Sequence, residues 1–149
     1  MPTVELRYEV LGQTVPNQSE YLVFASVSQV LPRLHEPECG WRLGPIAGKS
    51  VGNGLLRLDR GSRLCLRLPA DELPQALALS GTALNIGGHA VRVGVPSVHA
   101  LVPAPTLGAR LVVIKVAGCA QPTPAEFLAA VQRQLLAANL RGQAGIPLV

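Results

Sequence analysis

Three observations predict that this 149-residue chain is an α+β protein. Short runs alternate apolar and polar residues, as half-buried strands do. Two segments repeat apolar residues at helical spacing, as helices packed on a sheet do. Up to residue 102 the segments run strand, helix, strand, strand, helix, strand, which is the ferredoxin-like (RRM-like) order. After Pro103-Ala104-Pro105, one strand pattern and one helix pattern recur. The expected organisation is a ferredoxin-like domain over 1–102, a linker over 103–108, and a partial second ferredoxin-like domain over 109–149.

In the first strand, Val4, Leu6, Tyr8 and Val10 alternate with Glu5, Arg7 and Glu9. This reads as a strand and not as a signal peptide. A loop follows over 12–18. Asn17 and Glu20 have the spacing of a capping box, so a helix should begin near Ser19. Val23, Val27, Val30, Leu31 and Leu34 share one helical face. Pro32 breaks that register, so the turn before His35 is expected to be kinked or restarted. Residues 37–40 are irregular and 41–46 form a short strand. Gly48, Gly52 and Gly54 mark a flexible loop. The runs 55–58 and 63–68, joined by Asp59-Arg60-Gly61-Ser62, read as a hairpin. Its outer face should carry Arg63, Cys65 and Arg67, with Arg57 beside them.

A second, shorter helix is expected over 70–79. A hairpin through Gly87-Gly88-His89 and one more extended segment over 95–102 complete the first domain. Beyond the linker, 109–116 reads as a buried strand. Thr123-Pro124-Ala125-Glu126 combines a capping threonine, proline at the first helical position and glutamate at the third. Phe127, Leu128, Val131, Leu135 and Leu136 form the apolar face of that helix. Ile146 and the residues after it read as the start of another strand. Half a domain with an open sheet edge and a bare helix face needs a partner.

Apolar residues make up 48% of the chain and mean hydropathy is +0.32, which excludes a disordered chain. Pro, Gly and Arg interrupt every apolar run before the roughly 18 residues a membrane helix needs. Three dispersed cysteines without a C-x-x-C pair fit a reduced, cytoplasmic protein without structural zinc. Thirteen basic residues against nine acids give a net charge of +4 and a pI near 9.4. Eleven of the thirteen are arginine, whose planar fork suits phosphate. Between residues 42 and 67 the charged side chains are Arg42, Lys49, Arg57, Arg60, Arg63, Arg67 and a single acid, Asp59. Such a basic stretch points to nucleic acid, with a merely solvated face as the alternative. The chain has only five aromatic residues, so stem recognition through phosphates fits better than base stacking.

His35 is the leading candidate for proton transfer, because imidazole titrates near neutrality. A surface or helix-capping role is the alternative. Tyr21, on the same helix, is a candidate for orienting a reacting hydroxyl, or else a packed residue. Arg42 and Lys49 are each suited to stabilising charge on a reacting phosphate or to a plain phosphate contact. Gly48-Lys49-Ser50 lacks the spacing and following helix of a P-loop. His89 and His99 have no acidic or cysteine neighbours at ligand spacing, so both read as structural.

Several separated motifs resemble one family. They are Leu31-Pro32-Arg33-Leu34-His35-Glu36, the W-x-x-x-P-I-x-G run over 41–48 and the arginine-rich segment over 60–69. The G-x-x-L-x-x-G-G-H pattern within 77–94 and P-x-P-T-L over 103–107 complete the set. Together the motifs are similar to the repeat-processing endoribonucleases of type I CRISPR systems. The resemblance implies two tandem ferredoxin-like domains that bind a CRISPR repeat hairpin and cut the precursor RNA at its base. It implies cleavage without metal or cofactor: the ribose 2′-OH attacks the adjacent phosphate, leaving a cyclic phosphate and a free 5′-OH. It also implies His35 as general base or acid, with Tyr21 as its companion. Arg33, Arg42, Lys49, Arg57, Arg60, Arg63 and Arg67 become the RNA-binding set. The implied partners are the repeat hairpin, other surveillance-complex subunits and a chain completing the second domain. Two features depart from the pattern: no glycine-rich loop follows Gly142, and Asn17-Gln18-Ser19 stands where many relatives carry histidine. Two other functions remain open, a non-catalytic subunit holding the RNA hairpin and a protein interaction module.

Overall fold

Residues 1–109 and 112–146 are described in a computed structural model. The chain divides into two units, Met1–Pro103 and Ala104–Val149. The first unit is built on a five-stranded antiparallel sheet. In chain order its strands are β1 (Thr3–Gly12), β3 (Arg42–Leu43), β6 (Arg63–Pro69), β7 (Ala83–Ile86) and β8 (His89–Ala100). Their spatial order is β3-β6-β1-β8-β7, with every neighbouring pair antiparallel. Helix α1 (Glu20–Val30) connects β1 to β3, and a short helical stretch around α2 (Leu73–Ala76) connects β6 to β7. This is the ferredoxin-like connection pattern, with β7 added at the outer edge of β8.

Alternation decides which residues the helices cover. Leu6, Tyr8 and Val10 on β1 face the core with Leu64, Leu66 and Leu68 on β6 and Val91 and Val93 on β8. Val23 and Val27 of α1 pack onto that layer, together with Ala76 and Leu79. Each leucine buried there stabilises the fold by roughly 1.5–3 kcal/mol. The Tyr8 hydroxyl donates to the Ala76 carbonyl at 2.7 Å, tying the middle of the sheet to α2. A bulge between the Tyr8 and Val10 pairings leaves one extra residue on β8, which keeps Val10 opposite Val93.

The sequence placed the start of α1 correctly, but the capping box does not form. Ser19 is the cap residue and no side chain caps it, while Asn17 Oδ1 accepts from the Gln18 amide instead. Pro32 restarts the chain as a 3-10 turn, Pro32–His35, as its missing N–H predicts.

The expected hairpin over 55–68 is corrected. Residues 59–62 do turn, with the Ser62 amide donating to the Asp59 carbonyl at 3.0 Å, but the flanking strands enter different sheets. Strand β5 (Leu55–Arg57) pairs with β2 (Thr14–Pro16) and β4 (Lys49–Gly52), while β6 pairs with β1 and β3. The glycine segment is therefore a hairpin rather than a loose loop. Gly52, Asn53 and Gly54 turn at positive φ, and a Cβ at Gly48 would lie 2.7 Å from the Arg57 carbonyl oxygen. The expected strand over 41–46 contracts to Arg42–Leu43.

In the second unit, α3 (Pro124–Ala137) begins with the predicted capping box, formed between Thr123 and Glu126. Ala130 is buried, and Phe127, Leu128, Val131 and Leu135 are half-buried. Leu136, by contrast, is 62% exposed. The strand expected over 109–116 is not formed at 112–116, where Val112 and Val113 are exposed. A lone extended segment without a neighbouring strand leaves its amides to water. Arg110 and Leu111, and the end of the final expected strand from Pro147 onward, lie outside the described residues. No helix among the described residues is long and apolar enough to cross a membrane.

Candidate nucleic-acid interface

Because α1 and α2 cover one face of the main sheet, the residues that alternate with the core line the other. Cross-strand register assembles them: Arg42 lies opposite Arg67, Arg67 opposite Glu5, and Glu5 opposite His99. In the next rows Arg7 lies between Cys65 and Ser97, and Glu9 lies opposite Arg63. Arg92 projects from the same face beside Leu11. A cleft of about 600 Å³ opens here, lined by Arg7, Arg42, Arg63, Arg67, Glu5 and Cys65, among others.

These arginines are held in place. Arg7 Nε donates to Glu5 Oε1 and Arg67 Nε to Glu5 Oε2, both at 2.7 Å. Arg42 Nη1 reaches the Trp41 carbonyl at 2.9 Å, and Arg63 Nη1 reaches the carbonyls of Arg60 and Ser62 at 2.7 and 2.8 Å. Glu5 is only 6% exposed. Its bonds to Arg67 and then Arg7 hold its carboxyl below the usual carboxylate range, against the opposing effect of burial. Burial pushes the Cys65 thiol up, followed by the nearby Glu5 charge.

Lys49 and Arg57 belong to the small sheet, whereas Arg60 lines a second cleft with Glu9, Leu11 and Arg63. Lys49 and Arg57 are cross-strand partners in the small sheet, and Asp59 lies 3.7 Å from Lys49 Nζ. Arg57 is therefore not beside Arg63 and Arg67, which corrects the sequence expectation. Arg60 is exposed in the turn between the sheets. Lys49 and Ser50 lie on a strand, which removes the P-loop reading for good.

Arg33 lies in a cluster of its own, away from the sheet-face arginines. Its Nε and Nη2 each bond a Glu72 oxygen at 2.8 Å, its Nη1 bonds Glu36 at 3.0 Å, and its guanidinium lies 6.0 Å from the Trp41 ring centre. The Trp41 indole N–H also donates to Glu72. Arg33 first, then Trp41, hold the Glu72 carboxyl below its usual range. The cluster ties the His35 turn to the start of the second helical stretch. Arg33 is thus engaged by two acids and the Trp41 ring, unlike the arginines of the sheet face.

His35 ends the 3-10 turn, exposed, with its ring edge-on to Phe24 at 5.4 Å between centroids. Among the described residues neither ring nitrogen has a hydrogen-bond partner, so both are available to a ligand. Tyr21 is 80% exposed in the first turn of α1. Phe24, which the His35 ring meets, is three residues after Tyr21 on α1, a neighbouring position on the helix surface. His89 Nδ1 lies 2.9 Å from the Thr14 hydroxyl, joining the two sheets, and His99 Nε2 lies 2.9 Å from the Ser97 hydroxyl. Among the described residues no three His, Cys, Asp or Glu side chains gather as a metal-binding group.

Sequence reasoning missed Arg7, Arg92 and the anchoring role of Glu5. Alternation along β1 placed Glu5 and Arg7 off the core face. Only the pairing of β1 with β6, 62 residues apart at Glu5 and Arg67, brings them together.

Fold and site define a ferredoxin-like α+β domain whose uncovered sheet face is lined with tethered arginines. The family model described as Cas6 CRISPR matches residues 4–147. The CRISPR-associated endonuclease Cas6 of Myxococcus xanthus (strain DK1622) is 38% identical over 143 residues. That match covers 95% of this chain and 59% of the relative, so the chain spans about three fifths of the length of the curated relative it matches. The chain belongs to the Cas6 family.

Proposed function

We propose that the chain acts in CRISPR RNA processing as a metal-independent endoribonuclease, cutting precursor RNA at the base of the repeat hairpin. The observation that carries this reading is the exposed His35 imidazole, whose ring nitrogens have no hydrogen-bond partner among the described residues, in a chain of this family. In the proposed reaction His35 accepts the 2′-OH proton and the 2′ oxygen attacks the adjacent phosphorus. The bond from phosphorus to the 5′ oxygen breaks, and that oxygen takes up a proton from the imidazolium or from water. The products are a 2′,3′-cyclic phosphate and a free 5′-OH. A base of this kind contributes on the order of 10²–10⁴-fold. Arg42, Arg63 and Arg67 hold phosphates on the open sheet face, and Lys49, Arg57 and Arg60 form a second basic group.

A second reading is favoured by the tethered arginines of the sheet face. Here the chain holds the RNA hairpin within a surveillance complex without cutting it. Cleavage of a labelled CRISPR-repeat hairpin in EDTA, by wild type and by His35→Ala, separates the two. Cutting by wild type alone, with cyclic-phosphate ends, supports the nuclease. Equal cutting by both proteins, or none in EDTA where magnesium restores it, overturns the assignment. Tight binding by both without cutting supports the holding role.

A further inference from the structure

We propose that Glu5 is a positioning residue for a two-arginine clamp, Arg7 and Arg67, which grips backbone phosphates of RNA on the open sheet face. The inference rests on the RNA-binding part of the function proposed above and adds two residues, Glu5 and Arg7, to it.

The geometry is specific. A carboxylate 6% exposed in the middle of a strand is costly to bury unless charged donors satisfy it. Here two do, one on each oxygen and each through Nε alone. That leaves the Nη1 and Nη2 pair of both guanidiniums free, since among the described residues none of the four has a hydrogen-bond partner. The side chains of Arg7 and Arg67 remain 46% and 57% exposed, so the free forks are open to solvent. Arg67 stands opposite Glu5, and Arg7 is two residues farther along β1. This diagonal separates their Cα atoms by about 7–8 Å. Arg42 and Arg63, each tethered through one Nη1 to backbone carbonyls, flank the pair. A flexible arginine loses rotamer freedom when it binds phosphate, and one already fixed through Nε loses less. Helix α1, which leads into the His35 turn, packs on the opposite side of the sheet. The clamp therefore holds a part of the RNA other than the phosphate being cut.

The test exploits a sign. Removing an acid from a basic protein strengthens binding of a polyanion if charge alone matters. Glu5→Gln removes one charge but also one acceptor, and turns an amide NH₂ toward a guanidinium. Glu9→Gln removes the same charge from the same face without touching the clamp. The probe is a labelled octauridylate, which offers phosphates without a stem. Expected results in 50 mM salt are about two- to tenfold weaker binding by Glu5→Gln and unchanged or tighter binding by Glu9→Gln. Arg7→Ala/Arg67→Ala binds more weakly than wild type, and adding Glu5→Gln to it changes nothing further.

The proposal is overturned if Glu5→Gln binds as tightly as wild type or tighter. It is equally overturned if the double arginine variant binds normally, or if a polyglutamate peptide displaces wild-type protein from the probe and binds more tightly. Should Glu5→Gln fail to fold, NMR of the Arg7 and Arg67 side-chain N–H groups in wild type decides. Shifts on adding octauridylate support the clamp, and their absence removes it. None of these readouts requires cleavage. A chain that clamps the probe but never cuts a repeat refutes the nuclease alone, and one that cuts while ignoring Glu5→Gln refutes the clamp alone.

Discussion

The strongest quantitative consequence of the arginine face concerns salt. Four arginines line the cleft: Arg7, Arg42, Arg63 and Arg67. If each neutralises one phosphate of a single strand, log K should fall with log salt at a slope near −0.7 per contact, or about −2.8. Raising salt from 50 to 200 mM should then weaken octauridylate binding about 50-fold. Arg7→Ala/Arg67→Ala leaves two contacts, a slope near −1.4, and a loss of only about sevenfold over the same range. Fluorescence anisotropy titrations at four salt concentrations measure both slopes. A wild-type slope shallower than about −1 would refute the face as a phosphate surface. An unchanged slope in the double variant would place the contacts elsewhere, on the group formed by Lys49, Arg57 and Arg60.

Other predictions test the parts that support this face. Tyr8→Phe leaves the buried Ala76 carbonyl without its donor, costing about 1–3 kcal/mol. For a domain of this size the melting temperature by circular dichroism should drop by roughly 4–8 °C per kcal/mol. The same change should abolish the late tyrosinate absorbance step, since burial pushes the Tyr8 hydroxyl up to about 12. Glu5 and Glu72 both titrate below the ordinary 4.5 in the folded protein. Their stabilisation is thus complete above that value and is lost as pH falls through it and below. Urea midpoints measured from pH 6 to 3 should fall less in Glu5→Gln than in wild type. Glu72→Gln weakens the anchor of Arg33 and Trp41, so hydrogen exchange at residues 33–41 should quicken while β1 and β6 stay protected; unchanged exchange would remove that anchoring role.

Much of the first unit was legible in the sequence because its signals are local. The alternation of Val4, Leu6, Tyr8 and Val10 sets a strand face, the valines of α1 set a helix face, and Pro32 sets a break, all without distant partners. Thr123 to Glu126 likewise carried its own cap. Order along the chain then sufficed for the ferredoxin-like pattern, and the motifs around His35 for the family. The hairpin over 55–68 failed for a physical reason. Turn residues fix that the chain reverses, whereas the sheet each arm joins depends on pairing with β1, β2, β3 and β4. Arg33 carries the same lesson: basic charge is readable from a sequence, but its commitment to Glu72 and Trp41, 39 and 8 residues away, is not. The sequence by itself determined the elements, their core faces and the supply of arginine. Only the tertiary structure decided which arginines meet, that Glu5 aligns two of them, and that the His35 ring packs against Phe24. Alternation and helical period are properties of one segment, while a site is a property of the register between segments.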